Sequence, residues 1–192
     1  MPITPMDDAV PGTIASSADY NILIDNIEFL EDQIALSQDI YAKYYRTANQ
    51  SNALVAGVWT KQAFNVALET HAQVTPDAGF DDWTLNLAGV WEIHASIRCN
   101  ITNVDPVRYQ IGLFPTGFVS EGNAYMIQTF NEPLASANST NIGFYVKDRF
   151  SAGTQLCVAA IRTGNSGAGG GNNASTEAMG RINQISFSYV GP

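Results

Sequence analysis

The sequence is poor in the residues that catalysis and nucleic-acid binding draw on. Its 192 residues include two histidines, two cysteines and nine lysines and arginines against eighteen acids, for a net charge of -9. Without a run of basic residues no surface tracks a phosphate backbone, so nucleic-acid binding is not expected. Cys99 and Cys157 lie in separate strand-like runs, and no CxxC or Cys/His cluster offers a zinc site. They read as small buried apolar residues. Whether they pair depends on a Cα separation under ~7 Å, which spacing does not fix. No stretch approaches the ~20 apolar residues of a membrane span. The opening MPITPMDDAVPGTI lacks the charged start and apolar run of a secretory signal. The expectation is a chain assembled in a cytoplasm, with no membrane insertion.

What is present begins with a heptad pattern. From Ser16 to about Thr47 no Pro or Gly intervenes, and Tyr20, Ile27, Ile34 and Tyr41 recur every seven residues. Leu23, Leu30, Ser37 and Tyr44 do the same three positions on. An a/d pattern held for about four heptads predicts a coiled-coil helix. Ser16 or Ser17 would cap it, and Asp19 would favour the positive end of its dipole. The stripe needs a partner, either copies of itself or the chain's own second half. Ile24 and Ile40 at e and g widen the apolar face, which suits three strands better than two. The predicted trimerisation residues are Tyr20, Leu23, Ile27, Leu30, Ile34, Tyr41 and Tyr44.

Residues 1–15, with Pro2, Pro5 and Pro11, read as an extended docking arm. Residues 1–50 hold eight acids and two bases. The helical stalk spans 16–48, Asn49 to Asn52 form a polar break, and a head domain spans 53–192. In the head the period changes to two. Trp91, Ile93, Ala95, Ile97 and Cys99 alternate with Glu92, His94, Ser96 and Arg98, a half-buried strand with one wet face. Further strands are predicted at 60–68, 83–87, 107–114, 124–130, 141–146, 154–161 and 182–190, separated by Gly, Pro, Asp and Asn turns. This predicts a mainly β protein, a jelly-roll β-sandwich behind an α-helical coiled-coil segment. The stretch TGNSGAGGGNNAST at 163–176 reads as a long flexible loop. With no helix pattern or Lys after it, it does not read as a phosphate cradle.

Chemistry-bearing clusters are few. Glu92 and His94 share a strand face, a two-ligand start for a metal site that has no third member in sequence. Asp77, Asp81 and Asp82 gather around Gly79, where carboxylates can hold calcium, but not at EF-hand spacing. Trp59, Trp83 and Trp91 read as core or interface aromatics rather than sugar platforms. No nucleophile sits in a motif, and no paired carboxylates suit glycan hydrolysis. The expectation is a non-enzyme without cofactor or metal.

Several runs resemble the trimeric jelly roll of the complement-head and tumour-necrosis-factor group. They are Phe64–Leu68, Gly79-Phe80 with Leu87–Ile93, Phe150–Val158 and the closing Ile185–Val190. Ala88 stands where Pro is common in that family, and Thr154 where Asp is common. The resemblance covers about two thirds of the chain and implies homotrimers, often above a three-stranded stalk. The segment Ser17-Ala18-Asp19-Tyr20-Asn21-Ile22-Leu23-Ile24-Asp25 is similar to the start of tail-fibre and minor tail proteins of tailed bacteriophages. That resemblance implies a virion protein docked through its arm to other virion structural proteins, its head facing a host-surface glycan or protein. A capsid decoration protein or head fibre is the alternative on the same resemblance. A trimeric carbohydrate-binding module outside a virion is a further one.

Overall fold

The computed structural model describes residues 21–31, 40–47, 50–54, 57–100, 107–117, 121–132, 139–163, 170–172 and 183–192. Residues 21–31 are helical (α1). The rest is two antiparallel sheets facing one another, the layered solution for chains whose strands each carry one apolar face.

The first sheet contains β1 (Tyr41–Tyr45), β2 (Gln50–Leu54), β4 (Val66–Glu69), β7 (Gly89–Asn100), β10 (Ser139–Phe150), β12 (Gly170–Asn172) and β13 (Gln184–Gly191). Its order runs β2-β12-β7-β13-β1-β4, with β10 also on β7. A strand has two edges, and β10 fills one edge of β7 from Gly89 to Asn100. β13 and β12 therefore share the other edge, β13 against 90–96 and β12 at Cys99. The second sheet contains β3 (Thr60–Lys61), β5 (Val74–Pro76), β6 (Asp82–Leu85), β8 (Val107–Pro115), β9 (Met126–Glu132) and β11 (Thr154–Thr163). Its order is β5-β6-β11-β8-β9. β8 occupies one edge of β11, so β6 and β3 divide the other.

The predicted alternation of β7 is realised. Trp91, Ile93, Ala95, Ile97 and Cys99 are fully buried, and Glu92, His94, Ser96 and Arg98 are not. Between the sheets, Trp83 centres an aromatic cluster with Tyr44, Phe64 and Phe187 at ring separations of 6.2, 5.8 and 5.9 Å. Such tilted pairs add to the area that each ring removes from water. β8 and β11 are buried on both faces. Phe114, Cys157 and Ala159 point away from the central core and are covered by Trp59, Ala124 and Ile127. The ring of Trp59 meets Phe114 edge-on at 4.8 Å.

Gly89 has φ +149, and a Cβ there would lie 2.4 Å from the Gly191 carbonyl oxygen and 2.5 Å from the Tyr189 ring. That close approach lets Tyr189 donate to the Ala88 carbonyl at 3.2 Å and stack edge-on against Trp91.

Four expectations change. The helix does not run to Thr47, because 41–45 is a strand paired with β13 and β4. Tyr41 and Tyr44 are three apart and so share a helical face, but Ile40, Ala42, Tyr44 and Arg46 alternate and are all buried. Packing of Tyr44 on Trp83 and Phe80 favours the strand reading. Secondly, the polar break at 49–52 falls largely within β2, so the β unit starts near Ile40 rather than at 53. Thirdly, Gly170–Asn172 within the glycine-rich stretch is a strand held to β2 and β7 by backbone pairing, which needs no side chain. Finally, 60–68 is not one strand but β3 and β4, separated by Gln62 to Asn65.

Candidate functional site

The candidate site is the apolar stripe of α1. Leu23, Ile27 and Leu30 stand at the expected a and d positions and are 43%, 45% and 46% exposed. On a helix, positions four and three apart line one face, so the three side chains form a single ridge. Asp25, Glu28 and Glu31 are exposed beside the ridge, and Ile22, Ile24 and Phe29 are half-buried on the rest of the helix. Apolar ridges of this kind, rimmed by charge, gain most from burial against another ridge. Tyr20 and Ile34, also predicted for this seam, lie outside the described residues, as does the arm at 1–15. Tyr41 and Tyr44 do not join it. Tyr44 is fully buried, its hydroxyl donates to the Val74 carbonyl at 3.4 Å, and burial raises its pKa. It belongs to the core of the head.

The wet face of the first sheet carries the second group of polar side chains. Register places Tyr145 of β10 beside His94 of β7, then Ser186 of β13 and Lys43 of β1. One row along stand Lys147, Glu92, Ser188 and Tyr41. Lys147 donates to Glu92 at 3.0 Å. Lys147, with a hydrogen bond from Tyr145, keeps the Glu92 carboxyl below its usual range. Glu92 is thus held by these neighbours rather than by His94. Partial burial and the nearby Lys43 charge push the His94 imidazole down from its ordinary pKa. An imidazole can serve as a metal ligand, but no third ligand stands with Glu92 and His94 among the described residues. Tyr145 is 52% exposed, and sequence reading did not single it out. Its alternation with buried Phe144 and Ile142 was the available signal.

The Asp77, Asp81 and Asp82 carboxylates do converge, with one oxygen from each within 4.8 Å of the others. Asp77 Oδ1 accepts the amides of Asp81 and Asp82 at 3.1 and 3.2 Å. Burial works against its charge, but these amides outweigh it and lower its pKa. Burial, then the charges of Asp77 and Asp82, raise that of Asp81. Lys61 reaches both oxygens of Asp82 at 2.7 and 2.6 Å. The cluster could hold a hard cation in principle, but an amide pair and an ammonium already engage two of its carboxylates.

Trp83 and Trp91 are core residues, and Trp59 packs on the outer cluster. Neither cysteine is in a disulfide, both are buried, and burial pushes each thiol up to about 12, far from a reactive thiolate. Among the described residues no helix is long and apolar enough to cross a membrane.

No protein-family model matches the chain, and no curated protein sequence matches it. Solved structures do. The structure of Eiger TNF from S. frugiperda superposes with a TM-score of 0.55 at 10% identity, covering 78% of this chain and 91% of that one. Murine APRIL at pH 8.0 gives 0.53 at 9% identity, covering 78% and 97%. Murine APRIL at pH 5.0 gives 0.51 at 8% identity, covering 78% and 99%. At such identities the likeness establishes the fold, a TNF-like jelly roll, and nothing finer.

Proposed function

We propose that the chain is a non-enzymatic structural component of a phage particle. It is a homotrimer, anchored through its N-terminal arm to other virion proteins and displaying the β head outward as a minor tail or fibre protein that contacts the host surface. The observation that carries the self-association is the exposed ridge of Leu23, Ile27 and Leu30 at heptad spacing, ahead of a TNF-like head. The virion assignment rests on the resemblance of Ser17–Asp25 to phage tail and fibre proteins. Placement on the capsid, as a decoration protein or head fibre, would use the same anchor and head.

The native mass of the full chain, measured by light scattering, tests the trimer. Three chain masses are expected, falling to one in the double variant Leu23→Asp, Ile27→Asp with the head still folded by near-ultraviolet circular dichroism. A monomeric wild type would refute the stalk. A trimer that survives the double variant would move the contacts into the head. Labelling of purified phage particles by an antibody against the head tests the virion assignment separately, and unlabelled particles would remove it.

A further inference from the structure

Among the described residues, arginines concentrate toward one end of the sandwich, where Glu132 of β9 also stands opposite Val107. Six residues separate β7 from β8, so the end of the first and the start of the second meet at that end. Four of the chain's six arginines gather there. Arg46 follows β1, and its amide donates to the Asn183 carbonyl at 3.0 Å. The side-chain oxygen of Asn183 in turn accepts the Arg98 amide. Arg108 is the second residue of β8, exposed and paired opposite Thr163. Arg162 is the next to last residue of β11, opposite Tyr109.

Two of these arginines face inward. Arg46 is 2% exposed; its Nε donates to the Ala63 carbonyl at 2.7 Å and its Nη2 to Gln62 Oε1 at 3.3 Å, and it lies over the Phe64 ring. Arg162 is 4% exposed and follows Val158 and Ala160 on the core-facing side of its strand. Its backbone is fixed, with its carbonyl accepting the Gly57 amide at 2.8 Å. Its Nε and Nη1 are buried and meet no hydrogen-bond acceptor among the described residues. The ion pairs Lys61–Asp82 and Lys147–Glu92 lie elsewhere. A guanidinium stays charged at any ordinary pH, and a buried charge without a counter-charge is strongly unfavourable. Its donors match an oxyanion better than a lone carbonyl.

We propose that Arg162 is the core of an oxyanion-binding site at this end of the head, taking a carboxylate or phosphate-like group. The group has two possible sources: a small anion from solution, or a carboxylate carried by the protein itself. The site is independent of the oligomer and virion readings.

Thermal unfolding of the full chain tests it, with inorganic phosphate raised through the millimolar range at fixed ionic strength. For a solution anion, the wild-type midpoint should rise by about 5 °C or more near saturation, and Arg162→Met should abolish the rise. For a carboxylate of the protein, phosphate should have no effect. The wild type should then be more stable than R162M at neutral pH, and the gap should close as pH falls through the carboxylate range. A paired carboxylate has a depressed folded pKa, so its stabilisation is lost on acidification. Arg162→Lys, which keeps the charge but loses the Nε donor, is measured the same way if R162M does not fold. A phosphate effect equal in wild type and variant would overturn the site. So would a phosphate-independent wild type with either no stability gap or a gap that ignores pH.

Discussion

At the scale of single residues, Tyr44 separates two roles that one side chain cannot hold together. As a heptad residue it would matter only to association. As a fully buried neighbour of Trp83 and Phe80 it belongs to the folding core. Tyr44→Ala should therefore destabilise the head by about 3–5 kcal/mol, the usual cost of emptying an aromatic core site. The loss of midpoint should be the same at low and high protein concentration, as circular dichroism melts can show. His94 gives a second residue-scale prediction. Its imidazole should titrate below 6.5 by NMR, and Lys43→Gln should move it part of the way back, since partial burial is the larger cause. A histidine with a lowered folded pKa favours the folded state while neutral. Its contribution is therefore present above the unfolded pKa of about 6.5 and declines as pH falls below it. Asp81 has the opposite sign: its raised pKa means the ionised form is disfavoured in the fold. Asp81→Asn should stabilise the protein at neutral pH by on the order of 0.5 kcal/mol, as relief of a like-charge pair does. The gain should fade on acidification, as Asp81 takes up its proton.

At the scale of elements, legibility followed side-chain content. β7 was readable because five buried apolar residues alternate with four wetter ones over a long strand. β1 was not, because Ile40, Tyr41, Tyr44 and Tyr45 satisfy a helical and a strand spacing together, and only contact with Trp83 decides between them. β12, Gly-Gly-Asn, has no apolar side chain to show and is fixed by its neighbours' backbones. On α1, the helical face shared by Leu23, Ile27 and Leu30 was legible from spacing alone. Arg162 was not, although an arginine inside the apolar run Leu156–Ile161 was the signal available. The corrected boundary makes its own prediction. A chain cut before residue 39 should keep a folded head. A chain cut at residue 50 loses Ala42, Tyr44 and Arg46 from the core and should fail to fold, as dispersion of amide NMR signals would reveal.

At the scale of the whole molecule, the fold is that of a TNF-like jelly roll, and the clustered acidic groups of the described residues already have partners. The carboxylates of Asp77, Asp81 and Asp82 engage amides, an ammonium and one another, and Glu92 is held by Lys147 and Tyr145. Charge is unevenly spread, with Asp25, Glu28 and Glu31 beside the apolar ridge of α1 and arginines gathered toward one end of the head. If the shortened chain that begins at 39 is monomeric, the helix alone assembles the protein. If it is still trimeric, the head carries contacts of its own.

The position of β13 has a consequence in time. It lies between β7 and β1, so β1 has β4 as a neighbour but cannot reach β7 until residues 184–191 have been made. During synthesis, most of the seven-stranded sheet waits with two open edges for a strand that leaves the ribosome more than a hundred residues after β1. Long-range pairing of this kind slows folding, and open edges pair with whatever comes near. A chain interrupted before residue 184 would therefore be a hazard to its complete siblings, and a cell making many copies would depend on finishing each one promptly.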